Sequence, residues 1–292
     1  MNILVPVDNH QQLMSCSCAK VIAVIFSTAF CSTKTQHPLC IDELSSLSIE
    51  AAEMKLPWYL SINRMILQSE WSTFQQEINR INDFHPEGYI VSDFGVLHYL
   101  KQNHPEKKII MQTDTTMTNA QDVEVLLKTG ADLVALAREL TFEEVKEIVK
   151  TFGSQVLISG FGYQSMSTSN RPLLSNYLKH ICKDIDVCYK RFTLQEEGRT
   201  ERYPAMQDSH GFHIFTSSIL EIFDEVAELE ALGLESLMID RLFVDDETIR
   251  MVIDTFHKRN DVDRIKAEIS ANYKLSKALY YTPTSAVKLV SE

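Results

Sequence analysis

Short apolar runs alternate with helix-like segments along most of the chain. Eight runs are almost continuously apolar, as expected for parallel strands buried on both faces; they read "NILVPV", "KVIAVIFS", "WYLSINR", "GYIVSD", "KIIMQTD", "LVALARE", "QVLISG" and "SLMIDR". Seven segments with helical periodicity lie among them: "IDELSSLSIEAAEMK", "EWSTFQQEINRINDF", "FGVLHYLKQN", "AQDVEVLLKTG", "TFEEVKEIVKTFG", "SSILEIFDEVAELEALG" and "DDETIRMVIDTFHKR". This alternation predicts an α/β fold, and eight strands favour a TIM barrel over an open doubly wound sheet.

The alternation breaks once, between Leu178 and Ser218, after the seventh strand. Within this insertion "RTERYPAM" and "GFHIFTS" have strand composition and are joined by the turn-like "QDSHG", which predicts a β-hairpin. Insertions after barrel strands lie at the C-terminal rim, where such barrels keep their chemistry. We therefore predict a TIM barrel over residues 1–260 with a rim insertion at 179–217. A C-terminal helix and an extended tail, 261–292, are expected to pack on the barrel.

Composition narrows the classes of function. The chain is 45% hydrophobic, and 40 acidic residues outnumber 28 basic ones to give a net charge of −12, which argues against a broad phosphate-binding surface. A nucleic-acid partner would need a local basic patch. The six cysteines do not form the framework of a small secreted domain, so we expect a reducing, cytoplasmic setting. No apolar stretch is long enough to span a bilayer, and we expect no membrane partner.

Polar residues follow the predicted strands and would meet at one mouth of a barrel. They are Asp8, Asn63, Arg64, Asp93, Gln112, Thr113, Asp114, Arg138, Glu139, Asp240 and Arg241. Such a ring is either a satisfied ion-pair network or a site for a polar ligand. Adjacent strand residues face opposite sides, so only one of Arg138 and Glu139 would point inward. An inward Arg138 would clamp a carboxylate or phosphate; the alternative is a salt bridge to Asp93 or Asp114.

The stretch "GFGYQSMSTSNRPLLSNYL", residues 160–178, raises the question of a hydroxyl nucleophile. It contains Ser165, Ser167, Thr168 and Ser169, but no G-x-S-x-G elbow surrounds them. We therefore predict a rim loop that caps the following helix, with Arg171 as an anion-binding residue. His210 and His213 flank the hairpin turn, but their spacing sends them to opposite faces of a strand and does not predict a metal site.

Several phrases together resemble the peptidase U32 family, the collagenase-like proteases. They are "GYIVSDFGVLHYL", "MQTDTTMTNAQDVEVLLKTGADLVALARELTFEEVKEI", "VLISGFGYQSMSTSNRPLLSNYL", "ERYPAMQDSHGFHIFTSS" and "LEALGLESLMIDRLF", and the likeness runs from about Trp58 to the end. The resemblance implies a TIM barrel. Some family members are called peptidases, while others hydroxylate RNA bases, including prephenate-dependent formation of 5-hydroxyuridine at the tRNA wobble position.

The resemblance also bears on cofactors, because hydroxylating members generally carry cysteines that hold an iron–sulfur cluster. Here Tyr163 and Pro172 stand where two of those cysteines would be expected. Cys182 or Cys188 would take the third place, and the fourth is replaced within "SILEIF". We therefore expect no cluster and no other cofactor or metal. In this respect the chain resembles short, cysteine-poor members that occur beside a longer family member.

The functional expectation is a U32-type protein that serves wobble-uridine hydroxylation of tRNA with a longer U32 partner subunit. Arg138, Arg171 and Asn63 would bind a small carboxylate or a phosphate, and Glu139 and Asp240 would act as catalytic residues that orient them. The remaining expected substrate-binding residues are Asp93, Gln112, Asp208 and His213. Two alternatives stay open: a peptide hydrolase in which Glu139 or Asp208 activates water with a metal, and a binding or scaffold subunit without chemistry.

Overall fold

The computed structural model describes residues 1–18, 21–114 and 116–282. Its strands are β1 (Asn2–Pro6), β2 (Ala23–Phe26), β3 (Trp58–Ile62), β4 (Gly88–Val91), β5 (Lys108–Met111), β6 (Leu133–Ala135), β7 (Val156–Ser169), β8 (Arg191–Leu194), β9 (Tyr203–Asp208), β10 (Gly211–Glu221), β11 (Ser236–Ile239) and β12 (Leu275–Ser276). Strands β1 to β7 pair in chain order, and β11 is parallel to both β1 and β7. The ring is therefore closed, and the predicted eight-stranded TIM barrel is confirmed.

The helices surround this barrel. They are α1 (His10–Cys18), α2 (Ile41–Glu53), α3 (Trp71–Asn82), α4 (Phe94–Asn103), α5 (Ala120–Thr129), α6 (Phe142–Phe152), α7 (Leu173–His180), α8 (Val226–Ala231), α9 (Asp246–Lys258) and α10 (Val262–Ser270). Local sequence signals set several of their ends. Thr141 and Glu144 form a capping box on α6, and Asp245 accepts the Thr248 N–H at 2.8 Å to start α9. Within the part of the chain that the structure describes, no helix has the length and apolarity needed to cross a bilayer.

The barrel strands are buried on both faces, which explains why their sequences are apolar without alternation. One set of side chains fills the barrel interior: Leu4, Ala23, Ile25, Tyr59, Ile90, Ile110, Ala135 and Leu157. Their neighbours in sequence, such as Ile3, Val5 and Val24, belong to a larger cluster shared with the surrounding helices. This filling leaves space for a ligand only near the ends of the strands.

Strand β7 is much longer than its barrel neighbours, and this corrects the prediction of a rim loop at residues 160–169. Beyond the barrel, β7 continues as an antiparallel partner of β10, with Ser165 opposite Phe215 and Thr168 opposite His213. Strands β9 and β8 extend the same sheet, and β9 and β10 form the predicted hairpin. The four hydroxyl residues therefore lie on a strand, because the insertion provides a partner for its backbone.

The segment "SSILEIFDEVAELEALG" is helical only over Val226–Ala231, so the prediction of one long helix is wrong. Its first part belongs to β10, where Ile219 pairs with Tyr163 on one side and with Leu275 of β12 on the other. Ile219 is fully buried. Backbone pairing on both sides of the strand outweighs the helical spacing of its apolar residues.

The C-terminal segment packs on the barrel as far as the described residues reach. Lys277 contacts Glu221 at 2.9 Å and Glu225 at 2.7 Å, and the carbonyl of Tyr280 accepts the N–H of Phe142 at 2.9 Å. The rest of the predicted extended tail, 283–292, lies outside the described residues. The boundary proposed at residue 260 stays a prediction.

Candidate functional site

A cavity of about 260 Å³ opens at the C-terminal ends of the barrel strands. Four of the predicted site residues line it: Asn63, Gln112, Arg138 and Asp240. Asp8, Asp114 and Arg241 of the predicted polar ring also reach it, and Tyr163, Phe215 and Tyr280 contribute aromatic walls. The mouth thus combines polar and aromatic side chains, which is typical of a site for a small organic ligand.

Lys34 is one of the cavity residues that sequence reasoning missed. Its ammonium contacts the Asp114 carboxylate, and only 12% of its side chain is exposed. Both residues have left-handed backbones, with φ of 61° at Lys34 and 68° at Asp114. Non-glycine residues rarely adopt this conformation, and such strain clusters at functional sites. No sequence pattern predicts this position, because Lys34 lies in the loop after β2 rather than at the strand end.

Two carboxyl groups in the mouth take up protons more readily than usual. Burial raises the pKa of Asp240 above its ordinary value, although the Leu242 N–H, which it accepts at 2.8 Å, and the charge of Lys34 oppose this rise. Burial also raises the pKa of Asp8 to about 6, against the charges of Arg241 and His37. A group that changes protonation near neutral pH is suited to acid–base work.

Replacing Asp8 by asparagine is expected to stabilise the protein at pH 7. The pKa of Asp8 rises from 3.8 to about 6 on folding, so the folded state holds a proton that the unfolded chain releases, and wild-type stability falls as pH rises through that window. Asp8→Asn should remove this fall and gain at most about 3 kcal/mol at pH 7. Urea unfolding at several pH values measures this gain.

Asp184→Asn, at an exposed position, is the control and should keep the wild-type dependence of the free energy of unfolding on pH. If Asp8→Asn also kept that dependence, the raised pKa assigned to Asp8 would be contradicted.

The amide side chains of the mouth differ in how fully they are used. Asn63 is held by the loop after β2, since its oxygen accepts the Thr33 N–H at 2.8 Å and its amide donates to the Thr33 carbonyl at 3.0 Å. Gln164 donates to Ser159 at 3.0 Å and to the Gly162 carbonyl at 3.1 Å. Within residues 1–18, 21–114 and 116–282, the side chain of Gln112 has only a long contact, 3.9 Å, with the sulfur of Met238. Gln112 therefore has the most hydrogen-bonding capacity left for a ligand.

Only Arg138 of the pair Arg138 and Glu139 lines the cavity, in keeping with the prediction that one of them points inward. Arg138 is paired with Glu139, and not with Asp93 or Asp114 as the alternative had it. Strand β6 ends at Ala135, so the alternation of a strand does not apply to the turn that follows. Arg138 Nε donates to Glu139 at 2.8 Å and Nη2 donates to the Met166 carbonyl at 3.2 Å. Nη1 of Arg138 and Oε2 of Glu139 are buried and have no hydrogen-bond partner among the described residues, so both retain capacity for a ligand.

Five predicted site residues do not line the cavity: Asp93, Glu139, Arg171, Asp208 and His213. Asp93 caps α4 by accepting the N–H groups of Gly95 at 2.7 Å and Val96 at 3.2 Å. Its carboxylate thus has a structural task at the helix start. Arg171 is exposed between β7 and α7 and does not line the cavity.

Asp208 and His213 form a buried cluster with Thr33 beside the cavity. Asp208 Oδ2 accepts the Thr33 hydroxyl at 2.6 Å and the Lys34 N–H at 3.0 Å, and lies 3.0 Å from His213 Nε2. Thr33 also lies 2.8 Å from His213 Nε2. Burial alone would raise the pKa of Asp208, but the hydrogen bonds from His213 and Thr33 and the charge of His213 outweigh it and hold the pKa well below its ordinary value.

This cluster differs from a hydrolytic triad. In a triad the acid and the nucleophile bind opposite nitrogens of the imidazole. Here Thr33 and Asp208 share Nε2, whereas Nδ1 of His213 lies 3.2 Å from the hydroxyl of Thr168. Asp208 and His213 are also almost fully buried. The geometry suits a structural or positioning task rather than attack on a peptide bond.

The positions matched to cluster cysteines do not fit an iron–sulfur centre. Tyr163 is buried at the cavity wall, and the Arg191 guanidinium lies 5.6 Å from its ring centre. Pro172 is the N-cap of α7, and Cys182 and Cys188 are exposed. Residues 1–18, 21–114 and 116–282 contain no group of three or more His, Cys, Asp or Glu side chains arranged to hold a metal ion. The expected absence of a cofactor stays a prediction.

Residues 12–286 match the family described as Peptidase family U32. The chain belongs to peptidase family U32. Its barrel is also similar to that of the solved U32 peptidase Mk0906, with a TM-score of 0.54 at 10% sequence identity, covering 82% of this chain and 92% of that one. At this identity the likeness concerns the fold alone.

Two named relatives of this U32 chain share more sequence with it. It is 26% identical over 186 residues to tRNA hydroxylation protein P2 of Bacillus subtilis, and this match covers 62% of this chain and 60% of the relative. It is 24% identical over 236 residues to tRNA hydroxylation protein P of Escherichia coli, which covers 65% of this chain and 52% of that protein. The matches thus span little more than half the length of these relatives.

Proposed function

We propose that this U32 protein takes part in tRNA hydroxylation, namely the prephenate-dependent formation of 5-hydroxyuridine at the wobble position. The observation that carries the proposal is the shared sequence with proteins named for tRNA hydroxylation, 26% and 24% identical to this chain. The reaction would take place in the cytoplasm. A longer U32 subunit would act as partner and supply whatever this chain lacks.

The chemistry of the mouth supports a pyrimidine base as the group that enters it. Enzymes that modify a base extrude it into a pocket, stack it between rings and read its polar edge. Tyr163 and Tyr280 supply rings at the cavity wall, the Gln112 amide can pair with a ring carbonyl or N–H, and the carboxyl of Asp240 can accept a ring N–H. A neutral base also suits a mouth in which Asp8 and Asp114 offset the charge of Lys34.

Separate residues would serve the acidic parts of the substrates. Arg138, with its buried and unpartnered Nη1, would bind the small carboxylate, while Glu139 holds its guanidinium in place. Asn63 would contribute indirectly, by holding the loop after β2 in place through its hydrogen bonds with Thr33. Arg171, Lys179 and Lys183 are exposed along the segment that runs from the end of β7 through α7 into the insertion, where these side chains would contact the tRNA backbone.

Deleting the gene in its host and quantifying tRNA nucleosides by mass spectrometry tests the proposal. We expect 5-hydroxyuridine derivatives to fall in the deletion strain and to return with the wild-type gene. Asp240→Asn, in the cavity, should restore less than about a tenth of the wild-type level. Asp254→Asn, which changes an exposed carboxyl paired with Lys258, should restore it fully. Unchanged 5-hydroxyuridine in a strain that also lacks the U32 paralogues would reject the proposal.

A scaffold subunit is the second candidate, and the ion pairs of the mouth favour it. Lys34 contacts Asp114, Arg138 contacts Glu139, and Arg241 contacts Asp246 at 2.5 Å. Pairs of this kind are also what a barrel without chemistry would use to satisfy its rim. The same experiment separates the two functions: if deletion removes 5-hydroxyuridine but Asp240→Asn restores it fully, the chain acts as a scaffold.

A further inference from the structure

Three residues that line the cavity have strained backbone conformations. Lys34, Asp114 and Ala278 all line it, and each is a non-glycine residue with a positive φ, at 61°, 68° and 46°. Conformations of this kind persist only when surrounding contacts enforce them. Because Lys34 and Asp114 come from the loops after β2 and β5, two separate parts of the rim are held in strained forms so that their side chains meet.

The contacts that enforce the conformation of Lys34 come from the insertion. Asp208, the last residue of β9, accepts the backbone N–H of Lys34 at 3.0 Å and the hydroxyl of Thr33 at 2.6 Å. His213 of β10 is fully buried and contacts both Thr33 and Asp208. We call Asp208, His213 and Thr33 the rim clamp. The clamp fixes the backbone of Lys34 and leaves its side chain to reach the cavity.

We propose that Lys34 is the substrate-contacting cation of the barrel mouth, donating a hydrogen bond to a ring carbonyl oxygen, and that the rim clamp is the unit that positions it. The identity of the ring as an extruded uracil rests on the proposed function. A lysine ammonium has three N–H donors, and Asp114 is its carboxylate partner. The donors that Asp114 does not accept are available to a carbonyl oxygen inside the cavity, and a charged donor binds such an oxygen more strongly than a neutral one.

The insertion thereby takes part in the site, because two of its residues hold the backbone of Lys34 in place. The exposed Lys179 and Lys183 lie on the same insertion that carries Asp208 and His213. RNA that docks on the insertion would therefore contact the element that holds Lys34. Removal of the clamp should act through Lys34 and should have no separate effect once Lys34 is gone.

Binding of two RNAs to the purified full-length chain tests Lys34 itself. One RNA is an anticodon stem-loop with uridine at the wobble position, and the other is identical but lacks that base. We expect the wild-type chain to prefer the first RNA by at least about tenfold, and Lys34→Met to lose most of that preference while its affinity for the abasic RNA stays unchanged. Lys34→Arg should retain part of the preference. Lys128→Met, on the exposed surface and paired with Glu124, should behave as wild type.

The clamp is tested by Asp208→Asn and Thr33→Val in the same assay. Each should reduce the preference by about threefold to tenfold, Thr33→Ser should restore it, and neither should reduce it further in the Lys34→Met background. Thr33→Val removes only one hydroxyl, so it keeps the test available if Asp208→Asn does not fold. A wild-type preference in both variants, or an equal loss without Lys34, would overturn the positioning role.

The outcomes separate this inference from the proposed function. A wild-type chain that binds both RNAs equally contradicts base capture in the barrel mouth, and with it the proposed function. A wild-type chain that prefers the uridine RNA while Lys34→Met keeps that preference contradicts only the role of Lys34.

Discussion

Replacing Lys277 by methionine is expected to lower the free energy of unfolding by about 3 kcal/mol. Lys277 contacts Glu221, Asp224 and Glu225 within 3.0 Å, and the side chains of Glu221 and Glu225 are only 5% and 4% exposed. Removing the cation leaves the carboxylates of Glu221 and Glu225 buried. Lys266 is a poor substitute, because its ammonium comes only within 3.6 Å of Glu221. Urea unfolding of the variant at pH 7 measures the loss.

The pH dependence of this contribution has a definite sign. Burial would lower the pKa of Lys277, but its hydrogen bonds to Glu225, Glu221 and Asp224 outweigh burial and raise the pKa above its ordinary value. The stabilisation is therefore complete at neutral pH and declines only as pH rises above the ordinary lysine range. Lys258→Met, in an exposed pair with Asp254, should cost less than about 0.5 kcal/mol. If both variants lost the same free energy of unfolding, burial of the carboxylates would not contribute to the effect.

Replacing Gly162 by alanine is expected to destabilise the protein by about 2–4 kcal/mol and to reduce activity at the barrel mouth. Gly162 has a φ of +131°, and a Cβ there would lie 2.7 Å from Cβ and 2.8 Å from the carbonyl oxygen of Asp240. Either β7 or Asp240 must move to avoid this collision. Because Asp240 lines the cavity, the displacement should be felt in the site as well as in stability.

Gly198 provides a matched control for this substitution. It also has a positive φ, +81°, but nothing lies within 4 Å of the position of its Cβ. Gly198→Ala should therefore cost only the backbone strain, about 1 kcal/mol. The difference between the two melting temperatures isolates the collision with Asp240, and equal melting temperatures would mean that Asp240 moves freely.

The barrel could be predicted because its strands carry a strong local signal. Residues such as Ile3, Leu4 and Val5 are buried in succession, since alternate side chains enter the interior and the helix layer. Continuous apolar runs follow directly from that arrangement. The positions of Asn63, Gln112, Arg138 and Asp240 followed in turn, because the ends of parallel strands meet at one mouth.

Local patterns failed where distant segments supplied the decisive contacts. The first part of "SSILEIFDEVAELEALG" has helical spacing but is a strand, because β7 and β12 pair with both of its edges. The ion pair between Arg138 and Glu139, just after β6, is a contact that strand alternation does not predict. Lys34 had no motif at all, and its place in the site depends on Asp208, which lies 174 residues further along the chain.

The sequence by itself determined the order of strands and helices, the eight-stranded barrel and the hairpin, because apolar runs and helix caps are formed by neighbouring residues. It also determined the family, through the motifs that the chain shares with it. Only the tertiary structure decided that β7 leaves the barrel, that Lys34 enters the mouth, and that Asp208 and His213 stand behind it. These features arise from hydrogen bonds between residues far apart in the chain, and such pairings have no periodic signature in the sequence.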